Sequence, residues 1–465
     1  MKPSSVFLRE LIKLAIPITV SQVGYVLVGM ADTFFMGRMG IVPLAIGTLS
    51  IQYHVIFLVL TMGISYALSP LILDIFSKNC STDEVSDYFH HTLRISLLVS
   101  LVMIPLSVLL FPVFCFLFDV DRDIVWPSFT FVCILSFSLI PLSVFTTCRM
   151  LFESYGDSAT GMNISIRGNL LNILLNILFI YGLFKKSEWK YYAPAFATLL
   201  ARGWMALSFM NKVRLSPGFR SFCLTVWSKH GMDWEKSRKI LQIGIPVSLQ
   251  FFFEVIAFTA AGFMAAGFGK IQIDAHGIAL QLASLTYMFG SGISNAACIL
   301  SGKYQSDKMM RAFSFYVPLR LILLITFIFS VLFTVFHRHL PYVFTNHEEV
   351  VQYSSTLILL AALFQMADGT QVVCAGILRG IQDVRFPARV IAFSYTVVGI
   401  GGSYLLGIVF NFQVQGIWIA LSIALGVVAI MLLLRCYMLF ELQGKSGKVD
   451  IQEHHYAETG HGTES

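Results

Sequence analysis

Long hydrophobic segments separated by short polar gaps follow one another through the whole chain. Windows of about 20 mostly apolar residues, the length that crosses a bilayer as an α-helix, recur roughly every 35 to 40 residues. The twelve predicted spans are 11–35, 44–73, 92–116, 125–150, 161–184, 191–212, 238–265, 276–302, 314–336, 349–378, 387–409 and 415–441. The pattern therefore predicts an all-α polytopic membrane protein with twelve transmembrane helices.

Short motifs recur at a fixed distance in the two halves of the chain. Two pairs share the same offset: AIPI at 15–18 with GIPV at 244–247, and GISYA at 63–67 with GISNA at 292–296. A third likeness, at a slightly shorter offset, aligns Asp157 with Asp383 after the fourth and tenth spans. Both members of the first pair place a proline inside a predicted helix, where it is expected to cause a kink. We interpret the chain as two pseudo-symmetric lobes of six helices each.

An even number of helices gives both lobes the same orientation, so they are parallel repeats. Transporters built in this way bind substrate in a central cavity between the lobes and alternate access by rocking one lobe against the other. The predicted domains are an amino-terminal lobe at 1–212, a cytoplasmic linker at 213–237, a carboxy-terminal lobe at 238–441 and a disordered cytoplasmic tail at 442–465.

Composition and charge support this assignment and give an orientation. Hydrophobic residues make up 56% of the chain and charged residues only 12%. Of the 32 Lys and Arg, we assign 24 to one side of the membrane, among them Arg202, and leave Arg320 inside the ninth helix. The seven on the other side are Arg38, Arg122, Lys185, Lys186, Lys190, Lys270 and Arg338. Because positive residues are retained in the cytoplasm, both termini are predicted to be cytoplasmic, and the net charge of +6 requires no nucleic-acid partner.

The turns after the fourth and tenth spans combine acidic and basic residues. Asp157 and Asp383 lie there together with Arg149, Arg379 and Arg385. We interpret these residues as helix caps and cytoplasmic anchors.

No motif of an enzyme or a nucleotide-driven pump occurs in the sequence. A GxxxxGK[ST] loop, a GxSxG elbow and an HExxH helix are all missing, and the eight cysteines form no CxxC pair. We expect no enzymatic activity and no cofactor, so the energy for transport is expected to come from an ion gradient.

Three carboxylates, Asp32, Glu254 and Asp368, lie deep inside apolar segments. An ionised side chain there costs at least a few kcal/mol, so such acids normally face a protein interior or cavity and bind a proton or a cation. For Asp32 a structural alternative is a hydrogen bond to backbone at a helix break near Gly29 and Gly37.

Several longer stretches carry a family resemblance. They are LAIPITVSQVGYVLVGMADTFFMGRMG at 14–40, GNLLNILLNILFIYG at 168–182, HGIALQLASLTYMF at 276–289 and QVVCAGILRGIQDVRFP at 371–387. Through them the chain resembles the multidrug and toxic compound extrusion (MATE) family, and most of all its bacterial NorM-like branch. The resemblance implies two six-helix bundles around a cavity and export of organic cations or amphipathic compounds in exchange for Na⁺ or H⁺.

The resemblance also assigns roles to individual residues. It implies coupling acids at Asp32, Glu254 and Asp368, and an amino-lobe polar network of Asn172, Asn176 and Thr198. Glu254 and Asp368 together could hold Na⁺. Two positions depart from some relatives, because Asn176 replaces an Asp and Phe364 replaces a Tyr, and these departures leave the choice of ion open. Asn172 and Asn176 could instead only join helices, a contribution of about 1 kcal/mol or less.

The expected protein is a monomer in the cell inner (plasma) membrane, with the lipid bilayer and small organic molecules as its partners. The alternative function is a flippase or exporter of lipid-linked oligosaccharide or of a metabolite, built on the same two-lobed fold. A receptor or channel without coupled transport is a third class.

Overall fold

The computed structural model describes residues 3–78, 82–117, 122–216 and 233–458, with side chains as far as residue 440 except those of residues 41 and 117. Within these ranges the regular structure is helical throughout and contains no strand. Twelve membrane-spanning helices, α1 to α12, follow one another through the described parts of the chain, as the hydrophobic pattern predicts.

The amino-terminal half contains six spans, of which two are interrupted and a third ends in a π-helical segment. They are α1 at Pro3–Met39, α2 at Ile41–Ser65 and Leu68–Ser77, α3 at Thr82–Leu117, α4 at Arg122–Ser136 and Leu139–Ser154, α5 at Ser158–Ile177 with a π-helical end at Leu178–Leu183, and α6 at Ala193–Leu215. A 3₁₀ turn at Glu188–Tyr192 leads into α6.

The carboxy-terminal half repeats this order. Its spans are α7 at Trp234–Ala266, α8 at Lys270–Lys303, α9 at Lys308–Phe336, α10 at Glu348–Gly380, α11 at Arg385–Phe393 with π-helical segments Ser394–Gly401 and Tyr404–Val409, and α12 at Gln413–Glu458. A 3₁₀ turn at Leu340–Val343 precedes α10. Helix α12 continues to Glu458, through the first part of the segment that was predicted to be a disordered tail. Most of the predicted linker, residues 217–232, lies outside the described residues.

Ten of the spans are long and apolar enough to cross a membrane by length and composition alone. The other two, α6 and α8, contain 23 and 34 residues. At 1.5 Å per residue each reaches about 35 Å or more, enough for a hydrocarbon core about 30 Å thick. They are less apolar because they carry polar side chains of the protein interior, such as Thr198 and Arg202 on α6 and Asn295 on α8.

The backbone shows the same repeat at positions that lie outside the matching sequence motifs. Gly40 and Gly269, which are separated by the offset of the first two motif pairs, both have positive φ, at 128° and 115°, and each separates the first two helices of its half. Because φ values in this region are costly for a residue with a Cβ atom, glycine is required at both turns. The π-helical segments Leu178–Leu183 and Tyr404–Val409 are separated by the shorter offset, that of Asp157 and Asp383. The two halves are therefore structural repeats.

The two lobes meet along two helix pairs, with α1 against α8 and α2 against α7. Gln22 Nε2 donates a hydrogen bond to Ser291 Oγ at 3.0 Å, and Ser248 Oγ donates to the Leu60 carbonyl oxygen at 2.8 Å. Both bonds lie near the middle of their helices, and the ion pairs Lys303–Glu10 and Lys236–Asp87 join the lobes nearer to the chain termini. The lobes are thus joined on the face of the protein that carries the termini.

Candidate functional site: one acidic site in each lobe

The amino-lobe site is built around the buried carboxylate of Asp32, in the second half of α1. Asn176 Nδ2 on α5 donates a hydrogen bond to Asp32 Oδ1 at 2.8 Å. Thr198 Oγ1 on α6 donates to Asp32 Oδ2 at 2.9 Å. The side-chain partners of Asp32 therefore come from two other helices, whereas the structural alternative required a backbone partner at a helix break.

Asn172 completes this network. Its Nδ2 donates to Thr198 Oγ1 at 3.0 Å, and Asn176 Nδ2 lies 3.2 Å from Asn172 Oδ1. The two amides meet because residues four apart share a helical face. Among the described residues, Asn176 Oδ1 is buried without a hydrogen-bond partner. Carboxylate, amide and hydroxyl oxygens thus converge at one point, and hard cations prefer such ligands.

Arg202 lies within electrostatic reach of Asp32 and was assigned wrongly from the sequence. It lies one turn after Thr198 within α6, not at the membrane surface. Its Nη2 donates to the Tyr25 hydroxyl at 3.0 Å, and its Nη1 donates to Ser138 Oγ at 2.6 Å. The charge pattern placed it with the cytoplasmic residues because α6 ends shortly afterwards in Lys212. The spacing of four from Thr198 was the signal for an interior position.

The carboxy-lobe site joins Glu254 on α7 with Asp368 on α10. The Tyr287 hydroxyl on α8 donates to Glu254 Oε2 at 3.4 Å. The two carboxyl groups are close enough for their charges to interact. Phe364, one turn before Asp368, is buried and its ring lies 5.6 Å from that of Trp418. At this position the side chain contributes packing and no oxygen.

Tyr395 and Gln371 lie beside the carboxy-lobe site, and the sequence did not single out either. Gln371 Nε2 on α10 donates to the Tyr395 hydroxyl on α11 at 2.8 Å. Tyr395 lies within electrostatic reach of both Glu254 and Asp368. A tyrosine in an apolar helix carries no sequence signal of its own, which explains the omission.

The available ligands suit a proton or a hard cation. Among the described residues, no group of three or more His, Cys, Asp or Glu side chains could hold a metal ion. The carboxy-lobe oxygens come instead from two carboxylates and from phenol groups. The amino-lobe oxygens come from one carboxylate, two amides and a hydroxyl.

The MatE family model matches the chain twice, at residues 17–178 and at residues 246–405. The starts of the two matches are separated by the same offset as the first two motif pairs, and together the matches span more than half of the chain. The chain belongs to the MATE family. Each match covers most of one lobe, so the family assignment and the internal repeat agree.

Similar MATE proteins extend over nearly the whole chain. It is 25% identical over 453 residues to the probable multidrug resistance protein NorM of Agrobacterium fabrum, which covers 94% of both chains. It is 26% identical over 452 residues to the multidrug resistance protein MdtK of Yersinia pseudotuberculosis, which covers 92% of this chain and 94% of the relative. The chain is therefore a NorM-like member of the family, as its motifs indicate.

Solved structures confirm the MATE fold. The eukaryotic MATE transporter AtDTX14 superimposes with a TM-score of 0.85 at 15% identity, over 94% of this chain and 96% of that one. A MOP superfamily transporter from Pyrococcus furiosus gives a TM-score of 0.83 at 18% identity, over 95% and 98%. At these identities the likeness shows the fold alone.

Proposed function

We propose that this MATE protein is a secondary antiporter that exports organic cations or amphipathic compounds in exchange for Na⁺ or H⁺. The observation that carries the proposal is the pair of buried acidic sites, one built around Asp32 and the other around Glu254 and Asp368. Buried carboxylates in a membrane protein are typical of ion and proton pathways. The relatives NorM and MdtK are named as multidrug resistance proteins, which supports substrates of this class.

In this proposal the acids bind substrate and ion alternately. Glu254 and Asp368 repel each other when both are ionised, so one proton, one Na⁺ or one cationic substrate stabilises the pair. The Tyr287 hydroxyl orients Glu254. Occupancy by the coupling ion displaces a cationic substrate, and the rocking of the lobes moves the site from one side of the membrane to the other.

The proposed setting is the inner (plasma) membrane, with the protein a monomer and both termini in the cytoplasm. This orientation follows from the uneven distribution of Lys and Arg among the loops. In it, the face on which the lobes are joined is the cytoplasmic face, and substrate would leave from the opposite one.

The test is efflux of ethidium from proteoliposomes under an imposed Na⁺ or H⁺ gradient. We expect efflux to follow one of the two gradients and to be lost in Asp368→Asn and in Glu254→Gln. Phe364→Leu is the matched control, because it changes a buried side chain one turn from Asp368 without removing a carboxylate or adding an oxygen. Wild-type efflux in both acid variants would contradict the proposed coupling role.

A flippase or metabolite exporter remains the second candidate. Its supporting feature is the two-lobed fold itself, which transporters of several substrate classes share. If neither gradient drives ethidium efflux, although the protein is folded and inserted in the membrane, the result would favour this candidate. Scrambling of a fluorescent lipid-linked sugar in the same vesicles would then identify it.

A further inference from the structure

Five buried polar side chains cluster where the two lobes meet, outside both acidic sites. They are Tyr66, Arg149 and Glu153 from the amino lobe and Asn295 and Arg379 from the carboxy lobe, and each is at most 5% exposed. We call this cluster the interlobe latch. Two guanidinium groups in the interior of a membrane protein are costly and require a structural or functional reason. The sequence placed Arg149 and Arg379 at the membrane surface, and the structure corrects that assignment.

Each lobe holds its own arginine in place. In the amino lobe, Arg149 Nη2 donates to the Tyr66 hydroxyl at 2.9 Å, and Arg149 Nε lies 3.4 Å from Glu153 Oε1. In the carboxy lobe, Arg379 Nη2 donates to Asn295 Oδ1 at 2.8 Å. The polar groups of the interlobe latch are thus positioned before the lobes come together.

The contacts between the lobes are electrostatic. The Arg379 guanidinium lies 5.1 Å from the centre of the Tyr66 ring, at the distance of a cation–π contact. Glu153 lies within electrostatic reach of Arg379 as well as of Arg149. One carboxylate and one aromatic ring therefore attract arginines from both lobes.

The repeat shows why these residues face each other. Tyr66 and Asn295 are separated by the offset of the first two motif pairs, and Glu153 and Arg379 by the shorter offset of Asp157 and Asp383. Each pair therefore occupies equivalent positions in the two lobes. In a two-fold arrangement, residues near the axis meet their own counterparts. Two like charges at these equivalent positions would repel each other, whereas the opposite charges of Glu153 and Arg379 attract each other.

The interlobe latch is incompletely hydrogen-bonded. Among the described residues, Arg149 Nε, Arg379 Nε and Asn295 Nδ2 are buried without a hydrogen-bond partner. Such donors are costly when dry and are satisfied when water enters. Separation of the lobes would give these donors access to other partners.

A cavity of about 570 Å³ lies on the termini side of the interlobe latch. Its walls include Leu71 and Asp74 on α2, Lys239 on α7, and Gln382 after α10. Leu71 and Asp74 are one to two turns closer to the termini than Tyr66 on the same helix, and Gln382 follows Arg379 by three residues.

We propose that the interlobe latch is the gate that closes the transport pathway on the face carrying the termini. It holds the lobes together there and breaks between Glu153 and Arg379 when the lobes rock. The inference rests on the alternating access proposed above and adds the residues that hold one end of the pathway shut.

Cys298 provides a native reporter for the test. It is 3% exposed and lies within electrostatic reach of both Arg379 and Glu153. The experiment uses the full chain with Cys298 as its single cysteine. A membrane-impermeant maleimide is applied to inside-out and right-side-out vesicles, and the labelling rate is measured over a pH series. Rates are compared for the ionised thiol alone, because removal of a nearby charge also changes the ionisation of Cys298. We expect slow labelling of the parent protein and about fivefold faster labelling of Glu153→Gln from the termini side, as a modest population shift would give.

The controls separate a gate from general loosening of the fold. Exchanging the charges, with Glu153→Arg and Arg379→Glu together, is expected to return labelling towards the parent rate. Arg435→Gln removes an ion pair with Asp383, 2.8 Å long and within one lobe, and is expected to leave the rate unchanged. Arg379→Gln provides a second measurement if Glu153→Gln does not reach the membrane.

The gate proposal would be overturned if Glu153→Gln and Arg379→Gln were both labelled at the parent rate. It would also be overturned if Arg435→Gln accelerated labelling of Cys298 as much as they do. The assay requires no substrate and no ion gradient. If the parent protein shows no gradient-driven ethidium efflux, that result would therefore count against the antiport proposal alone. The labelling result would still test the proposal that the interlobe latch is a gate.

Discussion

At the scale of residues, the two acidic sites differ in the hydrogen bonds that their carboxyl groups accept. Asp32 accepts two short hydrogen bonds, from Asn176 and Thr198, which fix both of its oxygens. Glu254 has one long bond from Tyr287 and a second carboxyl group nearby. The amino-lobe acid is therefore held in one geometry, whereas the carboxy-lobe acids can rearrange around a proton or a cation. This difference is consistent with main coupling in the carboxy lobe and a supporting role for Asp32.

Thr198 offers a direct test of the amino-lobe network. Thr198→Val keeps the shape of the side chain but removes the donor to Asp32 and the acceptor for Asn172. We expect a loss of stability on the order of 1 kcal/mol, the usual scale for interhelical hydrogen bonds in membranes. If Asp32 takes part in ion binding, the half-saturating ion concentration for efflux should also rise about fivefold.

Thr198→Ser keeps the hydroxyl and serves as the control, with near parental values expected for both quantities. Thermal unfolding in detergent measures the first quantity, and efflux against a series of ion concentrations measures the second. A Thr198→Val protein that is less stable but has unchanged ion dependence would restrict the network to a structural role.

At the scale of helices, close packing between the lobes depends on glycine at particular positions. Gly292 on α8 lies against Thr19 on α1, where an added Cβ atom would stand 2.8 Å from the Thr19 Cα atom. Backbone cannot move aside as the end of a flexible side chain can. The approach of α1 and α8 on the termini side therefore requires a residue without a side chain at this position.

Gly292→Ala should hold α1 and α8 apart. We expect destabilisation of about 1–3 kcal/mol from overpacking, and slower efflux because the lobes can no longer close fully on this face. Gly277→Ala, on the same helix, is the matched control, since an added Cβ atom there meets no atom within 4 Å. The measurements are thermal unfolding and ethidium efflux for both variants. Equal effects of the two substitutions would show that helix propensity, rather than the contact with Thr19, determines the result.

At the scale of the whole molecule, the sequence predicted the fold well because hydrophobic length and repetition are properties of the chain itself. The twelve spans and the two lobes required no knowledge of distances, whereas the grouping of Asp32 with Asn172, Asn176 and Thr198 came from the family resemblance. The positions of Arg149 and Arg379 could not be inferred in the same way. Arginine near the end of an apolar segment can lie at the surface or turn inward, and only the neighbouring helices decide which occurs.

The orientation of the molecule decides which way the interlobe latch faces, and it can be measured directly. Lys186 lies in the loop between α5 and α6, and Ser306 lies in the turn between α8 and α9. An odd number of spans separates them, so they lie on opposite sides of the membrane. With cytoplasmic termini, Lys186→Cys in a cysteine-free background should react with an impermeant maleimide in intact cells. Ser306→Cys should react only after the membrane is permeabilised, and the reverse result would place the interlobe latch on the outer face.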